Sequence, residues 1–190
     1  MTSATAKAGV LLEKNQLSLG VGIVGAGLAA LIGIWPPATT DLPGRVALAA
    51  WVLIATPIAV IDAREHRIPN GLVGCLSAFT LGMIAAASAL EGDWSAAFWT
   101  VVWAALTIGV ALCVHVGSAG SLGMGYVKLA FPVALLLGWF GSDAVWTALL
   151  VTPVLAGLFV GYRSIARLPQ EPVPLAPYIL AGVATALLVI

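Results

Sequence analysis

Long apolar runs alternate with short polar breaks along the whole chain. Seven runs are close to the 17 to 25 residues, roughly, that a helix needs to cross about 30 Å of hydrocarbon. They lie at about 17–35, 44–61, 70–90, 94–116, 125–140, 143–162 and 173–190. The breaks between them carry proline, glycine and charged residues, which are typical of turns and loops. The pattern predicts an all-α, polytopic membrane protein with about seven transmembrane helices.

Two of these runs require comment. The fifth is short and contains Pro132, and a proline inside a helix removes a backbone hydrogen bond. The count falls to six if one run is re-entrant or interfacial. The first run follows Lys7 and Lys14, as in a signal peptide, but no A-x-A cleavage site follows it, so we expect a retained helix. No soluble region interrupts the pattern, and residues 1–190 are expected to form a single membrane-embedded domain.

The composition points to the same class of protein. Hydrophobic residues make up 61% of the chain and charged residues only 8%, whereas a soluble domain carries about 25% charged residues. The formal net charge is zero, and the chain has no basic patch that would bind nucleic acid. Cys75 and Cys113 do not form a CxxC pair, and His66 and His115 do not have the spacing of an HExxH motif. Neither a metal nor a cofactor is expected, and the surrounding partner is membrane lipid.

The distribution of basic residues predicts the orientation. Lysine and arginine accumulate on the cytoplasmic side of membrane proteins. With a cytoplasmic N-terminus, only Arg45 lies outside, and the outer connections carry Asp41, Glu91, Asp93 and Asp143. The residues then placed inside are Lys7, Lys14, Arg64, Arg67, Lys128, Arg163 and Arg167.

One predicted cytoplasmic connection is IDAREHRIPN, residues 61–70. Asp62 follows an apolar run and lies at the membrane edge, where a carboxylate is costly and is therefore a functional candidate; alternatively, it lies in water beside Arg64 and Arg67. Pro69 favours an extended Ile68, and Asn70 is expected to cap the next helix. The charged residues of this loop are most simply interpreted as a solvated, positive-inside connection.

The other is SAGSLGMGYVKLAFP, residues 118–132. Its glycines, with Gly123 and Gly125 nearest the next apolar run, permit close backbone approach, although a plain flexible connection explains them almost as well. Lys128 is expected in the first turn of the fifth helix. Its ammonium group either reaches the membrane interface along an apolar stem or belongs to a polar site.

Together, these two loops resemble the signature loops of the type IV prepilin peptidases, which are GxGD-type intramembrane aspartyl proteases. The family's first loop reads roughly D-x-x-x-x-x-I-P-N, matched by Asp62 and by Ile68, Pro69 and Asn70. The second reads G-x-G-D-x-K, matched by Gly123, Gly125 and Lys128. The closing VPLAPYILAG, residues 173–182, is similar to the family's last helix, which usually begins with a proline-rich turn. The resemblance therefore covers nearly the whole chain.

The resemblance implies a fold, an activity and a location. It is to the short forms found with tight-adherence pilus systems, without the cysteine-bearing N-terminal region of longer members, so N-methylation is not expected. The implied activity is leader-peptide cleavage of a prepilin or pseudopilin at the cytoplasmic face of the bacterial inner membrane. The implied catalytic positions are Asp62 and residue 126. Ile68, Pro69, Asn70, Gly123, Gly125 and Lys128 are the implied motif and substrate-binding residues.

The chain departs from the family at the second catalytic position, where Tyr126 replaces the aspartate. Aspartyl proteolysis needs two carboxyl groups, one ionised to take a proton from water and one protonated to polarise the scissile carbonyl. An acid at position 126 would face the positive start of the fifth helix, whereas Asp62 lies near the negative end of the second, which favours its protonated form. Tyrosine, with a pKa of about 10, is a poor general base. We expect a feeble or inactive peptidase.

Other groups near these loops are candidates for the missing role. Glu65 could fold back towards Asp62, His115 could act as a base near neutral pH, and Asp143 lies on the opposite side. Two further hypotheses remain open: a non-catalytic protein that binds prepilins or a pilus-assembly partner, and a small transporter with Asp62 and Lys128 along its pathway. Transported-ion sites usually lie near the midplane, which argues against the transporter.

Overall fold

The computed structural model describes residues 42–120, 122–167 and 172–189, and in this part of the chain all regular structure is helical. Within it, helices follow one another with short connections. They are α1 (Leu42–Glu65), α2 (Asn70–Glu91), α3 (Trp94–Gly117), α4 (Met124–Trp139), α5 (Ser142–Ile165) and α6 (Ala176–Val189). The all-α prediction is confirmed for these residues. The first predicted span, 17–35, and the basic residues Lys7 and Lys14 lie outside them.

Four of the described helices, α1, α2, α3 and α5, are long and apolar enough to cross a membrane. A helical membrane protein is thus supported, and within the described residues four of the six predicted spans are long enough to cross. Helices α4 and α6 are apolar but have only 16 and 14 residues. At 1.5 Å per residue they are about 24 and 21 Å long, less than the roughly 30 Å of hydrocarbon. The last predicted run was longer because it included residues 173–175, which precede α6.

Helix α4 lies at the centre of the described bundle. It packs against α2, α3, α5 and α6, and nine of its sixteen residues are buried. It continues through Pro132, so the fifth predicted element is one helix. By contrast, only Thr100 and Ala104 are buried along the 24 residues of α3. A helix too short to cross the hydrocarbon unaided is therefore enclosed by its neighbours.

Small residues allow two of these helix pairs to approach closely. A Cβ built at Gly138 of α4 would lie 3.2 Å from the Cα of Thr100 in α3. One built at Gly182 of α6 would collide with the side chain of Thr152 in α5. Membrane helices associate largely through such close packing, because lipid supplies no hydrophobic drive between them.

The helix ends carry the local signals that stop or start them. Helix α1 runs past the predicted end at residue 61 and stops at His66, whose φ of 53° is left-handed. Helix α2 ends at Gly92, with φ 70°, and Asp93 then caps α3 by accepting a hydrogen bond from the Ser95 N–H at 2.8 Å. The predicted cap at Asn70 is wrong. Pro69 occupies the N-cap position of α2 without a side-chain hydrogen bond, and Asn70 is the first helical residue.

Candidate functional site

Asp62 lies in the last turn of α1 and is 0% exposed. Its Oδ1 accepts a hydrogen bond from the Tyr126 hydroxyl of α4 at 2.9 Å. Its Oδ2 accepts one from the Ala176 N–H at the start of α6, also at 2.9 Å. The alternative that Asp62 lies in water beside Arg64 and Arg67 is therefore wrong. Two donors from two other helices satisfy this buried carboxylate, as a buried polar group requires.

Tyr126 occupies the first turn of α4 and faces Asp62. Its N–H donates to the Gly123 carbonyl at 3.0 Å, which fixes the start of the helix. Its hydroxyl donates to Asp62 and accepts a weaker hydrogen bond from the Leu175 N–H at 3.4 Å. The side chain at position 126 is thus in direct contact with Asp62.

The start of α6 completes the Asp62 site, which we define as Asp62, Tyr126, Leu175 and Ala176. Pro174 and Pro177 have no N–H, so the two N–H groups between them, on Leu175 and Ala176, are the available donors. Both are directed at the site. The sequence analysis missed these donors because they belong to the main chain. The signal that could have found them is the pair of prolines flanking two free N–H groups at a helix start.

The electrostatic setting of Asp62 also differs from the expectation. The sequence analysis considered only the negative end of its own helix, which favours a protonated acid. In the structure, the positive N-terminal end of α6 meets the same carboxylate. A helix N-terminus stabilises negative charge and so opposes the effect of the end of α1. The expectation and the structure differ because the start of α6 points at Asp62, and the sequence around Asp62 does not show this.

The two signature loops meet beside this site. A Cβ built at Gly125 would lie 3.0 Å from the Cβ of Ile68, so only a residue without a side chain fits there without displacement. Lys128 lies one turn into α4, rather than in its first turn, and its Nζ donates to Asn70 Oδ1 at 3.0 Å. Asn70 therefore links the loops instead of capping α2. Lys128 is exposed, and its hydrogen bond to Asn70 joins the second motif to the first.

The other candidate acids and bases are engaged elsewhere. Glu65 is exposed and lies 3.9 Å from the Arg67 guanidinium. His115 hydrogen-bonds through Nδ1 to the carbonyl of Leu122, within the second loop. Asp143 is in the first turn of α5, which follows the far end of α4. His66 hydrogen-bonds through Nε2 to the Pro172 carbonyl at 2.6 Å. None of these side chains hydrogen-bonds to Asp62.

The chemistry available at the site follows from its groups. It combines one carboxylate with one phenol, whose ordinary pKa of about 10 keeps it protonated at neutral pH. The phenol can donate a hydrogen bond, as the protonated member of an aspartyl pair does, but it cannot replace the ionised member as a base. No family model, curated protein or solved structure matches this chain.

Proposed function

We propose that this protein is a prepilin-peptidase-type membrane protein whose leader-cleaving activity is weak or absent because Tyr126 replaces the second catalytic aspartate. The observation that carries the proposal is the 2.9 Å hydrogen bond from the Tyr126 hydroxyl to Asp62. Residue 126 is in direct contact with the one buried carboxylate among the described residues. A peptidase of this type needs its second acid at that place.

The junction of the two loops supports the same proposal. The contact of Gly125 with Ile68 and the Lys128–Asn70 hydrogen bond involve residues of both motifs. Each motif alone is a weak signal, because glycine-rich and Ile-Pro-Asn turns are common in loops. Their contact around Asp62 is the arrangement that a shared active site requires.

The proposed topology has seven spans, with 17–35 as the first and the N-terminus in the cytoplasm. The last turn of α1 carries Arg64, and the last turn of α5 carries Arg163. Lys128 lies near the start of α4. These ends belong to the same side as the Asp62 site, which by the positive-inside rule is the cytoplasmic face of the bacterial inner membrane. A prepilin or pseudopilin leader is the proposed partner.

Hydrolysis by the restored pair would follow the aspartyl route. The ionised carboxylate takes a proton from water, and the hydroxide adds to the scissile carbonyl carbon. The protonated carboxyl gives its proton to the carbonyl oxygen. The newly protonated carboxyl then gives its proton to the leaving nitrogen and the C–N bond breaks, while a hydroxyl of the tetrahedral intermediate returns its proton to the other carboxylate, which restores the acid pair. With Tyr126 in place, Asp62 has a donor beside it but no second carboxyl with which to share a proton.

A specific observation also favours a second candidate, a non-catalytic prepilin-binding or pilus-assembly protein. Both oxygens of Asp62 are already hydrogen-bonded, and the carboxylate has no exposed surface. Such an arrangement stabilises the junction of α1, α4 and α6 without any reaction. In this case the cleft would hold a leader peptide or an assembly partner without cutting it.

Co-expression with the cognate prepilin tests the two candidates. We expect no leader removal, or only a trace, by the unaltered protein, and clear removal by Tyr126→Asp. The matched control is Tyr126→Asn, which has nearly the same shape as the aspartate variant but no ionisable group. Leader removal is followed by the size of the prepilin and by mass spectrometry of its new N-terminus.

The outcomes separate the candidates. Cleavage by Tyr126→Asp that disappears when Asp62→Ala is added supports an intact peptidase fold with one missing acid. Failure of Tyr126→Asp to cleave, together with co-purification of uncut prepilin, supports the binding protein. Efficient cleavage by the unaltered protein that persists after Asp62→Ala would rule out the aspartyl mechanism.

A further inference from the structure

A short proline-containing segment, residues 172–175, leads into the start of α6 beside Asp62; we call it the proline segment. The Pro172 carbonyl is hydrogen-bonded to His66 Nε2 at 2.6 Å, and the Leu175 N–H reaches the Tyr126 hydroxyl at 3.4 Å. The next N–H, on Ala176, binds Asp62 itself. Pro174, in the middle of the segment, is buried. Both ends of the segment are thus held by hydrogen bonds to the two signature loops.

These contacts close Asp62 to anything outside the protein. The carboxylate is 0% exposed, and its two hydrogen bonds come from Tyr126 and Ala176. A peptide or water molecule cannot reach it in this conformation. The segment precedes α6, lies outside regular secondary structure, and donates its Leu175 N–H to the Tyr126 hydroxyl beside Asp62. An extended peptide carries the same kind of donor and could take over these bonds, as occurs when a strand is added to an existing edge.

We propose that the proline segment is a displaceable gate over Asp62, latched by His66 and opened by an incoming extended peptide. The identity of the incoming peptide rests on the proposed function, whereas the burial of Asp62 does not. Because the gate uses main-chain donors, its opening leaves the same acceptors free for the main chain of any leader. The gate therefore controls access rather than side-chain selectivity.

His66 is suited to be the latch. It ends α1 in the left-handed conformation, with φ 53°, and its own N–H donates to the Asp62 carbonyl at 2.9 Å. This places the imidazole one turn beyond the carboxylate, where it reaches the Pro172 carbonyl. The hydrogen bond is exposed, unlike that between Asp62 and Ala176. Exposed bonds open first in local unfolding, so this bond is where opening of the gate begins.

Chemical labelling of carboxyl groups measures the gate directly. The purified full-length protein is treated with a water-soluble carbodiimide and an amine, and modification of Asp62 and Glu65 is quantified by peptide mass spectrometry. Glu65 is exposed and lies three residues away, so it is an internal reference. We expect Asp62 to react at least about tenfold more slowly than Glu65, because it reacts only after local opening.

The variant His66→Gly removes the imidazole while keeping a residue that accepts the positive φ. The Asp62 to Glu65 labelling ratio should rise by about two- to tenfold, the factor that corresponds to losing one hydrogen bond. The matched control is Ala119→Gly, which also relieves a left-handed residue, with φ 50°, after α3. It should leave the ratio unchanged. A second route to the same result is Pro174→Ala, which loosens the segment without touching His66.

Two results would overturn the gate. One is equal labelling of Asp62 and Glu65 in the unaltered protein. The other is an unchanged ratio in both His66→Gly and Pro174→Ala, in samples whose circular dichroism and elution in detergent match those of the parent.

An activity arm distinguishes failure of the gate from failure of the proposed function. In the Tyr126→Asp background, His66→Gly should raise the rate of leader removal at limiting prepilin. No cleavage in any variant, with the labelling ratio changed as expected, would refute the peptidase and leave the gate standing. Cleavage restored by Tyr126→Asp, with a labelling ratio that stays unchanged in the gate variants, would refute the gate and leave the peptidase standing.

Discussion

Helix α1 carries two fully buried groups that hydrogen-bond to other helices, Trp51 and Asp62, and the two serve different purposes. They are three turns apart on the same face. The Trp51 indole donates to Thr80 Oγ1 of α2 at 2.9 Å, and Thr80 donates in turn to the Leu76 carbonyl at 2.7 Å. Asp62 instead accepts donors from α4 and α6.

The difference lies in charge and position. The Trp51–Thr80 pair is neutral, and each donor has an acceptor, so it holds two helices together and has no further capacity. Asp62 is ionisable and lies at a helix end, where neighbouring helices present unpaired main-chain N–H groups. An ionisable group at this depth is costly and is usually retained for function, whereas a neutral pair needs no such explanation. The two buried polar contacts of α1 therefore differ in chemistry, and of the two only Asp62 carries an ionisable group.

The largest expected contrast is in activity. In the Tyr126→Asp background, Asp62→Asn should lower leader removal by a factor on the order of 10⁴, because the two acids act as one catalytic unit. Thr80→Val in the same background should leave the rate unchanged once the amount of folded protein is matched. Time courses of prepilin processing measure both. A comparable loss of leader removal in Thr80→Val would show that the Trp51–Thr80 pair and Asp62 do not differ in their effect on activity.

The next contrast concerns stability at the Asp62 site. Tyr126→Phe removes a donor from a buried carboxylate and should destabilise the protein by about 1.5–3 kcal/mol, the range for hydrogen bonds to charged groups. Unfolding in mixed micelles with a denaturing detergent measures the change. Tyr162→Phe is the matched control, because the Tyr162 side chain is 64% exposed. Equal stability of the two variants would show that the Tyr126–Asp62 bond contributes nothing.

The junction of the two signature loops is expected to be nearly as sensitive. Gly125→Val places a side chain against Ile68, whose Cβ is 3.0 Å from the position of the new Cβ, and should cost about 1–3 kcal/mol. Gly74→Val in α2 is the control, since no other atom lies within 4 Å of its Cβ position. The same unfolding assay compares them. The close contact is refuted if Gly125→Val is no less stable than Gly74→Val.

Loss of the Trp51–Thr80 hydrogen bond should lower the free energy of unfolding by less. Thr80→Val leaves the Trp51 indole without its acceptor, and hydrogen bonds between membrane helices are worth about 0.6 kcal/mol on average and up to about 1.7. Thr185→Val is the control, because the Thr185 hydroxyl bonds only to the Ala181 carbonyl of its own helix. A loss from Thr80→Val larger than that from Tyr126→Phe would reverse the order of the two networks.

The smallest effect on stability is expected at Asp93, which takes part in neither the Trp51–Thr80 nor the Asp62 hydrogen bonds. Hydrogen bonds from the Ser95 N–H and hydroxyl lower the pKa of Asp93 below its ordinary value. The cap therefore stabilises α3 at neutral pH, and this contribution is lost as the pH falls through the lowered pKa. Asp93→Ala should reduce Tm slightly at pH 7, and the difference from the parent should vanish in strong acid. Glu91→Ala, an exposed neighbour, should show no such convergence.

Much of the fold could be predicted from local pattern. The ends of α2 and α3 lie within a residue of the predicted runs, and α4 is continuous through Pro132. Because polar groups are excluded from hydrocarbon, helices that cross it can be recognised in the sequence as long apolar runs. The pattern could not distinguish the enclosed α4 from the exposed α3, because a lipid-facing and a protein-facing residue are equally apolar. The pattern also did not show that α6 has only 14 residues, because the apolar residues before it extended the run.

Part of the site could be predicted in the same way. Asp62 stood out because a carboxylate after an apolar run is unusual, and the motif resemblance placed residue 126 opposite it. The capping role of Asn70 was wrong because its amide oxygen has a partner from another helix, Lys128, that local reasoning cannot see. The donors at Leu175 and Ala176 were invisible, since every non-proline residue has an N–H and only its direction matters.

By itself, the sequence determined that this chain is helical and membrane-embedded and that Asp62 is an acid at the end of a long apolar run. These follow from hydropathy and residue chemistry, which are local. Only the tertiary structure decided what surrounds Asp62: a phenol from α4 and the start of α6, preceded by a segment whose Leu175 N–H reaches that phenol. Those neighbours come from residues 64 to 114 positions away, and helix packing alone brings them together.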